Sequence, residues 1–61
     1  MEVGDIVRLR PNFRKAFDPL VPECGLVTRV NGIGNIDIML SDELILVGVM
    51  LGNVEKINEY R

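Results

Sequence analysis

The hydrophobic positions of this chain recur with a period of two, rather than the period of about 3.6 that marks a helix. Val3, Val7 and Leu9 fall on one face of an extended first segment, and Arg8 and Arg10 fall on the other. Gly4-Asp5 opens that strand, and Pro11, which has no N–H to give to a ladder, closes it. Residues 11–22 then hold all three prolines and both phenylalanines. A loop of that length in a small domain is expected to pack down, through Phe13, Phe17, Leu20 or Val21. Cys24 to Asn31, with β-branched Val27, Thr28 and Val30, reads as the second strand. Gly32-Ile33-Gly34-Asn35 supplies a turn whose residues tolerate positive φ. Ile36, Ile38 and Leu40 alternate with Asp37 in a third strand, Ser41-Asp42-Glu43 is a tight polar turn, and Leu44 to Val49 is a fourth strand, apolar throughout. A 3₁₀ turn is expected over Met50 to Asn53, then a short fifth strand from Val54 to Ile57 and a polar tail over residues 57–61.

A helical stripe of Leu44, Val47, Leu51, Val54 and Ile57 competes for the last third of the chain. Gly48 and Gly52 disfavour it by about 1 kcal/mol each relative to alanine, so strands are the expectation. No internal repeat or low-complexity segment divides residues 1–61, which read as one domain.

Five short strands, a long loop after the first, tight hairpins between the next three and a 3₁₀ turn before the last resemble an SH3-like barrel. The expected fold is therefore all-β, a small five-stranded SH3-like barrel. Closing the sheet in this way would remove its exposed edges. The resemblance is carried by Val3-Gly4-Asp5-Ile6-Val7-Arg8-Leu9, by Gly25-Leu26-Val27-Thr28-Arg29-Val30 and by Val54-Glu55-Lys56-Ile57. Similar openings and closings occur in small proteins of tailed phages, notably cyanobacterial phages. They also occur in subunit IV of photosystem I, the variable chain of ferredoxin–thioredoxin reductase and the nitrile hydratase β-subunit. The length and the ending Arg8-Leu9-Arg10-Pro11 match the phage type best. Photosystem subunit IV shares that basic ending, but its long aromatic-rich loop between strands three and four has no counterpart here. The resemblance implies an accessory phage protein, working in the host cytoplasm. As an alternative, it implies a small regulatory subunit of a redox or photosynthetic complex.

Composition sharpens this picture. A chain of 61 residues buries only about 60% of its unfolded surface. One cysteine and no histidine leave neither a disulfide nor a zinc cluster to staple it. Stability must come from the 48% of residues that are hydrophobic, only 5% of the chain being aromatic. The net charge of −2 gives no global attraction to nucleic acid or anionic lipid. Residues 8–15, however, carry Arg8, Arg10, Arg14 and Lys15 with no acid among them, against three basic and nine acidic residues elsewhere. The longest apolar run, Leu44 to Leu51, falls far short of the ~20 residues of a membrane span. The acidic start Met1-Glu2-Val3-Gly4-Asp5 lacks the pattern of an export signal. No membrane association and a cytoplasmic location are expected.

The candidate chemistry is thin. With Ser41, Thr28 and Cys24 as the sole residues of their types and no histidine, no usual nucleophile–base pair can be assembled, and an enzyme is not expected. Asp37 with Asp42 or Glu43 could pair as carboxylates, yet a barrel this small is expected to lack a cleft of ~300 Å³ to desolvate them. Their spacing matches no calcium loop, so no metal, cofactor or small-molecule substrate is expected. Cys24 reads as a small buried hydrophobe. Tyr60 alone cannot build the aromatic groove that grips proline-rich peptides.

Two binding surfaces remain. A basic one, Arg8, Arg10, Arg14 and Lys15 with Phe13 as a stacking platform, would bind nucleic acid weakly and is the lesser alternative. The other is apolar. Strand four presents Leu44 and Leu46 on one face, and Ile45, Val47 and Val49 on the other, followed by Met50. A small barrel interior accepts one face only. The surplus marks a surface for a protein partner or for self-association, with Met39, Ile45, Val47, Val49 and Met50 as contact residues.

Overall fold

The computed structural model describes residues 1–57; residues 58–61, where Tyr60 and the end of the expected tail fall, lie outside them. The chain is all-β. Its strands are β1 (Ile6–Leu9), β2 (Cys24–Val30), β3 (Asn35–Ser41), β4 (Leu44–Met50) and β5 (Val54–Lys56). One helical turn, α1 (Pro11–Arg14), follows β1, and a 3₁₀ turn over Leu51–Asn53 precedes β5. The strand at 44–50 settles the competition with the helical stripe. The 3₁₀ turn begins one residue later than expected.

Strands β1 to β4 are successive antiparallel neighbours, and β5 returns to pair with β1, so the order across the sheet is β4-β3-β2-β1-β5. This is the strand order of the SH3-like arrangement. All five strands feed one core: Val7 and Leu9 from β1, Val27 from β2, Ile36, Ile38 and Leu40 from β3, Val49 from β4, and Val54 from β5. A flat sheet under one helical turn could not cover these side chains, so the sheet must curl around them. Hydrogen bonding does not complete the circle, however. Among the described residues β4 and β5 remain as two edges, contrary to the expectation of closure.

Local chemistry explains the element ends. Val3 does not join the inner face as expected but is largely exposed. It lies in an N-terminal turn in which Asp5 N–H bonds Glu2 O, Glu2 N–H bonds Asp5 Oδ2, and Gly4 has φ +98°. Pro11 ends β1 and serves as the first residue of α1, where its missing N–H costs nothing. The following segment is tied by Arg14, whose Nη2 donates to Pro19 O at 3.0 Å and Val21 O at 2.6 Å. Phe13, Phe17 and Val21 pack against the core as expected, with the two rings edge to face at 5.2 Å, while Leu20 points to solvent at 90% exposure.

Gly25 is fixed by close approach. A β-carbon there would stand 2.5 Å from Ile38 Cγ2, 2.7 Å from Leu40 Cδ2 and 2.9 Å from Met39 O. Gly25→Ala should therefore lower the unfolding free energy by about 1–3 kcal/mol in urea titrations. Gly32→Ala, which meets nothing within 4 Å, should change it by less than about 0.5 kcal/mol. Equal effects at the two sites would show that inward crowding does not dictate Gly25.

Candidate functional site

Because the strands pair antiparallel, register decides which side chains stand beside one another on the outer face. Ile6 of β1 lies opposite Leu26 of β2, Leu26 lies opposite Met39 of β3, and Met39 lies opposite Ile45 of β4. The strand neighbours of Ile6, Leu26 and Met39, namely Val7, Val27, Ile38 and Leu40, are buried, and Ile45 is exposed between Leu44 and Leu46, which pack against the core, so these four point outward. Side chains directly opposite in an antiparallel pair have Cβ atoms about 4.5–5.5 Å apart. The four therefore form one unbroken apolar row across four strands. Ile6 is 42% exposed and Ile45 54%, while Leu26 and Met39 are half-buried at its centre. Val47 at 76% and Met50 at 60% extend the apolar surface along β4.

Of the expected contact residues, Met39, Ile45, Val47 and Met50 are outward or accessible, but Val49 is not. It is 5% exposed and belongs to the core. The cause is an inserted residue. Ile36 pairs with Val49 and Ile38 with Leu46, so β4 spends one more residue than β3 over this interval. Gly48 takes φ +71° and donates its N–H to Asp37 Oδ1 at 3.1 Å. A bulge of this kind reverses the alternation, turning Val49 inward after Val47 has already faced out. The 11–22 segment does not cover the β4 surface, as the exposure of Ile45, Val47 and Met50 shows. Ile6 and Leu26 were absent from the expected set. Parity with buried Val7 and Val27 was their available signal.

The basic segment is largely engaged within the fold. Arg8 Nε donates to Glu55 Oε2 at 3.0 Å, and Arg10 Nη1 lies 3.6 Å from Glu55 Oε1. Arg14 is committed to loop carbonyls, and Phe13 is held edge-on against Phe17 rather than presented as a free platform. Lys15 is exposed. Cys24, expected to be buried, is exposed on β2 opposite Arg8. Asp37 serves the Gly48 bulge, while Asp42 and Glu43 form the exposed β3–β4 turn.

An open groove of about 470 Å³ does exist, contrary to the expectation of no cleft, between β1 and the 11–22 segment. Its lining of Leu9, Pro11, Arg14, Lys15, Phe17, Pro19 and Glu23 includes none of the carboxylates weighed as a pair. Neither protein-family models, curated proteins nor solved structures gave a match to this chain.

The hydrogen bonds from Arg8, reinforced by its charge, hold the Glu55 carboxyl below its ordinary range, and Glu55 raises Arg8 in return. The bond to the Glu2 backbone, helped by Lys56, lowers Asp5. Carboxyls depressed in the fold add stability above their unfolded pKa and lose it as pH falls through the carboxylate range. The thermal midpoint should fall on acidification below about pH 4.5. The double variant Asp5→Asn with Glu55→Gln should flatten that dependence. An unchanged slope would move the effect to other carboxyls.

Proposed function

We propose that this protein is a non-enzymatic interaction module that docks a protein chain on the outer apolar surface of β3 and β4. The observation that supports it is the row Ile6–Leu26–Met39–Ile45, extended by Val47 and Met50. Covering the exposed parts of Ile6, Ile45, Val47 and Met50 is worth about 3–6 kcal/mol before the costs of association. Those costs are about 4 kcal/mol at least, so the row suits a modest, reversible contact completed by its polar rim.

The hydroxyl groups support a binding role over a chemical one. Thr28 Oγ1 donates to Asp37 O at 3.4 Å, and Ser41 Oγ accepts the Glu43 N–H at 3.3 Å, both within the sheet and its turn. The resemblance of the opening and closing segments to those of small tailed-phage proteins would make it an accessory protein that acts by occupying a partner's surface. Nucleic acid is the weaker proposal, because Glu55 neutralises part of the basic segment and Arg14 is bonded into the loop.

In extract of the cells that naturally make it, the wild-type chain should elute in a complex larger than 6.8 kDa. Ile45→Glu should elute at its own mass while keeping a thermal midpoint within a few degrees, because Ile45 is exposed. Wild-type protein that elutes alone, or a complex unchanged by the substitution, would overturn the proposal. Collapse of the complex after nuclease treatment would do so in favour of nucleic acid.

A further inference from the structure

We infer that Asn31 is a site of self-modification, at which the chain converts its own asparagine to aspartate or isoaspartate through the backbone nitrogen of Gly32. Asn31 and Asn35 face each other across the three-residue loop Gly32-Ile33-Gly34. The Asn31 N–H donates to Asn35 O at 2.9 Å, and the Gly34 N–H donates to Asn31 O at 3.3 Å. Gly34 takes φ +96°, so a left-handed residue completes the turn, as is common in hairpin loops of this length. The Asn31 side chain donates from Nδ2 to Asn35 Oδ1.

Ring closure at an asparagine needs the nitrogen of the following residue to reach the side-chain carbonyl carbon. Among the described asparagines the structure favours this at Asn31. The Gly32 N–H has no backbone acceptor among the described residues, whereas the N–H after Asn12 bonds Arg10 O and the N–H after Asn53 bonds Leu51 O. Gly32 has no side chain to screen its nitrogen, and nothing stands within 4 Å of where a β-carbon would be. Phe13, Ile36 and Val54 follow the other three asparagines, and Ile36 and Val54 are buried in the core. The backbone rotation that carries the Gly32 nitrogen toward the side chain also turns Asn31 O. The bond it must release there is the one at 3.3 Å, beyond the usual limit of about 3.2 Å.

Gly32 N bonds to Asn31 Cγ as the Cγ–Nδ2 bond breaks, and the proton lost from Gly32 N leaves with Nδ2 as ammonia. Water from the solvent then opens the imide ring at one of its two carbonyl–nitrogen bonds. Opening at Cγ gives aspartate. Opening at the Asn31 carbonyl carbon gives isoaspartate, which adds one methylene to the main chain. Nothing is oxidised or reduced. Either product places a carboxylate in the same turn as Ile33, which is 86% exposed, and takes the net charge from −2 to −3. Isoaspartate also lengthens the backbone at the residue that closes the hairpin, next to the β2–β3 pair Val30–Ile36.

Purified wild-type chain, aged at physiological temperature in mildly alkaline buffer, should gain the mass of one water less one ammonia. Fragmentation should place that gain at Asn31 before another asparagine reacts, and an isoaspartyl methyltransferase should label the product. Gly32→Ala has open space for its β-carbon, so it should keep the thermal midpoint while slowing the gain about tenfold, because the added carbon restricts the backbone beside the attacking nitrogen. Asn31→Gln keeps a neutral amide but needs a larger ring, and it should remove the gain at position 31. Mildly acidic buffer should slow the wild type, since the nitrogen attacks after losing its proton. An Asn31 that stays intact on ageing, a gain spread evenly over the asparagines, or a Gly32→Ala chain that ages at the wild-type rate would overturn the inference.

Discussion

The architecture depends on the alternation of side chains along each strand and on the point where β4 breaks it. A strand sends successive side chains to opposite faces, so a one-residue slip transfers everything beyond it to the other side. In β4 the slip falls at Gly48, where positive φ and the bond to Asp37 absorb one extra residue. Without it, Val49 would share the outer face with Ile45 and Val47, and Met50 would turn inward. With it, Val49 fills the core beside Ile36, its cross-strand partner. Asp37 belongs to β3, so the strand that supplies the central core residues also holds its neighbour's bulge in place. Which side chains of β4 enter the core beyond Leu46 is set at this one contact.

That dependence shows what could be read in the sequence. Alternation alone located β3, because Ile36, Ile38 and Leu40 recur at every second position and Asp37 fixes the phase. The tight polar turn and the glycine-rich turn placed β2 to β4 as consecutive hairpins. In β4, by contrast, every side chain is apolar, so the pattern contains no phase, and an extrapolated parity placed Val49 on the wrong face. A glycine within an apolar strand was the one local sign of a bulge. The role of Asp37 lies eleven residues away in the chain and only becomes visible once β3 and β4 pair.

The basic segment illustrates the same limit for electrostatics. Four cations within eight residues look like a polyanion site when their neighbours are counted along the chain. Pairing β1 with β5 sets Arg8 directly opposite Glu55, from 47 residues away, and brings Arg10 to the same carboxylate. Arg14 turns back on its own loop. A local charge count measured composition correctly and missed the topology that neutralises it. The apolar row suffers the converse error. Ile6 and Leu26 are unremarkable singly, and they become a surface through the registers that join them to Met39 and Ile45.

A small fold explains why apolar residues remain outside at all. Among the described residues eight side chains reach the core, and five more hydrophobics pack partly against it. A curled sheet of this length has no room for others, yet its strands still need β-branched and aliphatic residues to favour the extended backbone. Outward positions on central strands could satisfy that preference with threonine, as Thr28 does, at no cost in solubility. Leu26, Met39 and Ile45 do not take that route, and they lie at one register. Strand propensity accounts for apolar residues scattered along the strands. It does not account for their alignment across four of them, and that alignment is the observation on which the proposed docking role rests.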